Sequence, residues 1–240
     1  MTSPVLALHG VAVGYDDRPV VEGVDLVVDR SEVVALVGPN GSGKTTLVRG
    51  VLGLAPVLAG RIELLGRPAE AFHERWRIGY VPQRHTVGGG VPSSVQEVVA
   101  SGRLARRRLL SPATAADRLA VSEALEIVGL ADRRHAPVAT LSGGQQRRTL
   151  IARALATDPD VLLMDEPTAG VDAAGQESLA RTLARLVGQG LTLVIVTHET
   201  EPLAGLLTRV VELRDGRVVR DEPLAGPTAL DLGVPGGSPS

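Results

Sequence analysis

Apolar residues in the first third of the chain come in short β-branched runs, Val11–Val13, Val24–Val28 and Val33–Val37, separated by Gly, Asp and Pro. Runs of this length bounded by turn residues predict strands. The stretch from Lys44 to Leu52 predicts a short helix closed by Gly53, and a strand pair is expected on either side of Gly60, ending in Arg61–Gly66. Ile78–Val81 reads as a strand, after which the period changes from two to nearly four. Ser94-Val95-Gln96-Glu97 is a capping box opening a helix toward Gly102. Ser111-Pro112 reads as an N-cap followed by proline at the first helical position, with Val121, Ala124, Leu125 and Val128 at helical spacing before a stop at Gly129. Leu150, Ile151, Ala154 and Leu155 mark a further helix, ended by Asp158-Pro159. The pattern then reverts to alternation of types: strand Val161–Met164, a helix with Leu179, Leu183, Leu186 and Val187 on one face, strand Leu191–Val196, and a hairpin turning at Asp215-Gly216. The expectation is an α/β core that carries a β-rich front and a helical insert at about 84–157. Residues 221–240, rich in Gly, Pro and Ser, are expected to be a flexible tail.

Composition narrows the class. With 240 residues, 44% hydrophobic and 22% charged, the chain can bury a large core, and with Cys 0 it cannot build a disulfide scaffold. Aromatic residues are only 2%, so the core must be aliphatic and base-stacking platforms are not expected. A net charge of -2 argues against a broad surface for nucleic-acid phosphates. No apolar run approaches the roughly 18 residues of a membrane span, and the start lacks a signal-peptide pattern, so the chain is expected in the cytoplasm.

The chemistry sits at two strand ends. Gly38-Pro39-Asn40-Gly41-Ser42-Gly43-Lys44-Thr45 fits G-x-x-x-x-G-K-[ST] between a predicted strand and a predicted helix. Such glycines let backbone N–H groups turn toward phosphate oxygens while the helix presents its positive end. Lys44 is expected on the β- and γ-phosphates and the Thr45 hydroxyl on Mg²⁺. Lys44 is also the sole lysine of the chain, every other base being arginine. Strand Val161–Met164 ends in Asp165-Glu166, and because neighbours on a strand point to opposite sides, the two carboxylates are expected to hold different jobs. Asp165 is expected to hold Mg²⁺ and Glu166 to act as general base on water. Leu141-Ser142-Gly143-Gly144-Gln145-Gln146 opens a helix with a serine cap and bare backbone, again an anion site.

With these three motifs together, residues of about 5–220 resemble the nucleotide-binding subunits of ABC transporters. The resemblance implies a RecA-like P-loop NTPase core in one domain over 1–220, an N-terminal antiparallel β subdomain, and a helical subdomain bearing the LSGGQ signature at Leu141–Gln145. It implies ATP and Mg²⁺ held by Gly38, Pro39, Asn40, Gly41, Ser42, Gly43, Lys44, Thr45 and Thr46, with Ser142, Gly143, Gly144 and Gln145 reaching the same nucleotide from a second copy in a head-to-tail dimer. Gln83, in Tyr80-Val81-Pro82-Gln83, is similar to the glutamine that senses Mg²⁺ and water and touches the membrane subunit. His198, in Val196-Thr197-His198-Glu199, is similar to the switch histidine on the γ-phosphate. Asp172, in Ala169-Gly170-Val171-Asp172, matches the D-loop, and Tyr15 falls where the family stacks an aromatic on adenine. The implied partners are a second copy, permease subunits in the membrane and, indirectly, an extracytoplasmic solute-binding protein, with the chain peripheral on the inner membrane face.

Cargo is a finer matter. Ser94–Arg103 and the Ala169–Asp172 loop look most like subunits of zinc and manganese importers, and ferric-siderophore importers are the alternative. A GTP switch is excluded, since its Asn-Lys-x-Asp string needs a lysine other than Lys44. A DNA-repair or translation ATPase is disfavoured because no second ATPase module or long coiled-coil insert is present. His9, His73, His85 and His135 lack ligand spacing, so no further metal is expected of them. Arg103, Arg106, Arg107 and Arg108 form the densest basic run; they read either as a solvated face or as a surface for anionic lipid or an acidic loop of the membrane partner.

Overall fold

Strands β1 (Leu6–Tyr15), β2 (Arg18–Val28), β4 (Val57–Leu64) and the short β5 (Arg67–Pro68) pair antiparallel in the order β2-β1-β4-β5. These belong to a computed structural model that describes residues 4–83, 93–107 and 111–224. A second sheet has the order β10-β9-β3-β8-β7-β6, built from β3 (Val33–Val37), β6 (Ile78–Val81), β7 (Val161–Asp165), β8 (Thr192–Val196), β9 (Arg209–Arg214) and β10 (Arg217–Pro223). All its pairings are parallel except the edge pair β9–β10. The helices are α1 (Lys44–Val51), α2 (Val95–Gly102), α3 (Ala115–Ile127), α4 (Gly143–Leu155) and α5 (Ala173–Gly188).

The central strands β3, β7 and β8 are buried on both faces of the sheet, which is why they read as nearly unbroken apolar runs. Alternate residues serve different cores. Val34, Leu36, Leu163, Val194 and Val196 face the antiparallel sheet and α1, whereas Val33, Ala35, Leu162, Met164, Leu193 and Ile195 face the helices. Among the described residues the segment between β6 and β7 holds α2, α3 and α4 and no strand, and 84–92 lie outside them. No helix among the described residues is long and apolar enough to cross a membrane.

Three boundaries differ from the expectation. The chain does not turn at Gly60. Strand β4 runs through it, and Gly60, at φ 79°, stands opposite a bulge in β1, where Gly10 and Val11 together face it. A Cβ there would come within 2.4 Å of the Gly10 carbonyl oxygen, so Gly60→Ala is expected to lower stability by about 1–3 kcal/mol in urea unfolding. An unchanged midpoint would contradict the bulge. The cap of α3 is Thr114, not Ser111: its hydroxyl accepts from the Asp117 N–H at 3.1 Å while the Asp117 carboxylate accepts from the Thr114 N–H at 2.9 Å. The reciprocal pair satisfies two orphan donors, which Ser111-Pro112 cannot match. Finally, Asp221, Glu222 and Pro223 continue β10 rather than fray, because Asp221 accepts from the Arg209 guanidinium at 2.6 and 2.7 Å. The rest of the expected tail lies outside the described residues.

Candidate active site

Strand β3, in the interior of the sheet, delivers Gly38 at its carboxyl end, and the loop from there to α1 turns through left-handed conformations at Gly38, Gly41 and Gly43. The requirement is steric at Gly38, where a Cβ would lie 2.0 Å from the Leu213 carbonyl oxygen. Lys44, at the first turn of α1, arches back over the loop and donates from Nζ to the Gly38 and Pro39 carbonyls at 2.7 and 3.0 Å. Burial pulls its pKa down, and the carboxylates of Glu166 and Asp165 oppose the shift.

The Thr45 hydroxyl donates to Asp165 Oδ2 at 3.0 Å, joining the start of α1 to the end of β7. Asp165 Oδ1 and the Ser42 hydroxyl are buried, and neither has a hydrogen-bond partner among the described residues. Burial raises the Asp165 pKa, as does the Glu166 charge, while the Thr45 hydrogen bond, Arg147 and Arg49 hold it down. A buried carboxylate oxygen without a donor is costly unless something satisfies it. A hydroxyl, a carboxylate and the Gln83 amide form the all-oxygen donor set that a hard cation such as Mg²⁺ prefers, so the residues present fit that ion. A cavity of about 300 Å³ opens here, lined by Asn40, Lys44, Thr45, Gln83, Asp165 and Glu166 among others.

Both carboxylates line one cavity, although alternation along an unbroken strand would point them to opposite faces. The physical reason is that β7 stops at Asp165: Glu166 takes φ 48°, outside strand geometry, and its N–H donates to the Val196 carbonyl at 2.8 Å. Roles are instead separated by partner, Asp165 on Thr45 and Glu166 on His198. A non-glycine residue held in the left-handed region is strained, and such strain collects at working sites.

His198, just beyond β8, places Nδ1 2.9 Å from each Glu166 carboxylate oxygen. That hydrogen bond, with the Glu166 charge and a smaller contribution from Glu199, raises the imidazole above its ordinary value. The contact stabilises the fold fully below the ordinary imidazole pKa of about 6.5 and is lost as pH rises through the raised one. The His198 titration midpoint, followed by NMR, is thus expected to fall in Glu166→Gln; an unmoved midpoint would contradict the pairing.

Ser142 caps α4, accepting from the Gln145 N–H at 3.3 Å while the Gln145 side chain accepts from the Ser142 N–H at 3.0 Å. Gly143 and Gly144 lie against Gly170 and Val171, and Asp172 caps α5 by accepting from the Gly175 N–H at 3.0 Å. The signature and the Gly170–Asp172 loop thus sit together, and neither contributes to the lining of the Lys44 cavity. Tyr15 is exposed at the end of β1, also outside that lining.

Three arginines stand apart from the sequence reading: Arg147, which it missed, and Arg103 and Arg106. Arg147 is 8% exposed; its terminal nitrogens donate to the Pro82 and Asp165 carbonyls, both at 2.6 Å, and burial pushes it down to about 10, still charged at neutral pH. Its spacing with Leu150, Ile151 and Ala154 was the available signal. The Arg103–Arg108 run is not a uniformly solvated face: Arg103 is buried, whereas Arg106 is exposed yet tied down by its neighbours. Arg103 is buried against Asp117 at 2.8 Å and the Ala156 carbonyl at 2.8 Å. Arg106 stacks 3.9 Å from the Trp76 ring centroid and donates to the Thr157 carbonyl at 3.1 Å. Asp117 is held well below the usual carboxylate range by the Thr114 backbone hydrogen bond and by Arg103. Arg108 and His85 lie outside the described residues.

The model of the ABC transporter family matches residues 21–169. The chain is 40% identical over 194 residues to the manganese transport system ATP-binding protein MntB of Bacillus subtilis, covering 81% of this chain and 77% of that one. It is 35% identical over 212 residues to the zinc transport system ATP-binding protein TroB of Treponema pallidum, covering 88% and 79%. The dimeric structure of a bacterial ABC transporter cassette superposes with a TM-score of 0.78 at 27% identity, over 92% of this chain and 99% of that one.

Proposed function

This chain belongs to the ABC transporter family as an ATP-hydrolysing subunit, and from that premise we propose that it energises an importer of a divalent metal cation, zinc or manganese. The observation that carries the ATPase mechanism is the convergence of Lys44, Thr45, Asp165, Glu166 and Gln83 on one cavity. The loop amides and Lys44 hold the β- and γ-phosphates, and Thr45, Asp165 and Gln83 would hold Mg²⁺, which when bound would supply neutralising charge to those phosphates. Water attacks the γ-phosphorus as Glu166 takes its proton, and the bond to the bridging oxygen breaks, leaving that oxygen on ADP. His198 orients Glu166 and reaches the γ-phosphate. Tyr15, exposed at the end of β1, offers its ring to adenine.

Ser142–Gln145 and Asp172 serve the nucleotide of a second copy, which explains a built anion site standing away from its own phosphate loop. Two such copies close head to tail around ATP and drive permease subunits in the membrane, fed by an extracytoplasmic solute-binding protein. The chain then lies in the cytoplasm, peripheral on the membrane through the permease. Its 1–220 unit acts as one ATPase domain. The similarity to manganese and zinc transport proteins supports the cargo.

Deleting the gene should lower cellular zinc or manganese in metal-poor medium, and a copy carrying Lys44→Ala should fail to restore it. Normal zinc and manganese with impaired use of ferric siderophores would replace the cargo reading with the iron alternative.

A further inference from the structure

Among the described residues, the guanidinium of Arg147 is the only charged group on α4 that reaches the ends of two core strands at once, at Pro82 and Asp165. The two acceptors are telling. The Pro82 carbonyl belongs to the peptide that leads into Gln83, and the Asp165 carbonyl to the peptide that joins Asp165 to Glu166. A planar fork with both arms near 2.6 Å fixes the spacing of those two peptides in a way that a single point donor cannot. Its Nε is buried with no partner among the described residues, so the side chain is aimed at these carbonyls at the expense of its third donor. The same helix begins at Ser142, less than two turns away.

We propose that Arg147 is a positioning residue that sets Gln83 and the Asp165–Glu166 pair of its own chain according to where the signature helix stands. Any shift of α4 is carried through one rigid side chain to the water-activating carboxylate. If the signature of each chain engages the nucleotide of the other, as in the reading above on which this part rests, Arg147 links each chain's grip on its partner's ATP to hydrolysis of its own. The two sites of the dimer then communicate without a longer chain of contacts.

The test uses Arg147→Lys, which keeps the charge but loses the fork, and Arg147→Gln. In the unmixed protein both are expected to lower kcat by about 10- to 100-fold, the scale of a slightly misplaced catalytic group. ATP Kd, measured with Glu166→Gln added, should shift by less than about threefold, since neither acceptor peptide belongs to the phosphate loop. Full activity in Arg147→Lys would overturn the fork, and equal losses of binding and turnover would reduce Arg147 to a structural support. Should one variant fail to fold, the other carries the same comparison.

Mixed dimers give the sharper readout. Pair a Ser142→Arg chain, whose phosphate loop is intact, with a Lys44→Ala chain, whose signature is intact, and follow single-turnover hydrolysis at the one whole site. Arg147→Lys placed in the Ser142→Arg chain should slow that site at least about tenfold more than the same change in the Lys44→Ala chain. The reverse asymmetry would mean that Arg147 merely supports the signature, and it overturns the proposal. An inactive mixed dimer without any Arg147 change would instead reject the shared site, and the unmixed kcat and Kd comparison would still judge Arg147.

Discussion

Glu166→Gln is expected to bind ATP about as tightly as the unaltered protein and to hydrolyse it about 10³-fold more slowly, the scale on which removal of a general base acts. The amide has the carboxylate's shape and the same tolerance for the backbone at φ 48°, so the cavity wall is retained. It cannot accept a proton from water. Nor can it hold His198 as an ion pair, so the orientation supplied by the 2.9 Å contact weakens as well. Among the described residues, Lys44 bonds to the Gly38 and Pro39 carbonyls and Thr45 to Asp165, not to the replaced group, so affinity should be preserved. Initial rates under saturating ATP, set beside an equilibrium binding titration, check both halves. Turnover within about tenfold of normal would remove Glu166 from the role of base.

Much of this site was legible because its chemistry is local in sequence. Gly38–Thr45 carries its strand, turn and helix within one window, and the Ser142–Gln145 and Ser94–Glu97 boxes each close within four residues. Gly60 misled because a glycine with positive φ serves a hairpin turn and a bulge equally well, and only the neighbouring strand decides between them. The cap of α3 misled because Ser111-Pro112 has a local signature as good as Thr114–Asp117, while Arg103 lies on the far side of the pairing that favours the latter. The arginines misled for a third reason. A basic residue reads as surface by default, whereas Arg103 and Arg147 are buried by acceptors distant in sequence, 53 residues away at Ala156 and 65 at Pro82. The placing of both carboxylates on one cavity depended on the exit of Glu166 from β7, a backbone event that residue types alone do not announce.

The account's central claim is that each ATP is held by the phosphate loop of one copy and the signature of another. Lys44→Ala removes the Nζ that arches over the Gly38 and Pro39 carbonyls, and with it the phosphate half of a site. Ser142→Arg removes the cap and fills the bare start of α4, destroying the signature half. A dimer of either variant has two broken sites, because a two-fold interface places the same pair of surfaces at both. In a mixed dimer one site draws its phosphate loop from the Ser142→Arg chain and its signature from the Lys44→Ala chain, and is whole. The measurement is ATP occluded per dimer with Glu166→Gln in both chains, which removes any dependence on steady turnover. The account predicts about one ATP in each mixed dimer, about two when only Glu166→Gln is present, and close to none in either unmixed variant. Mixed dimers that form yet occlude nothing would contradict the head-to-tail sandwich and return the signature helix to its own chain.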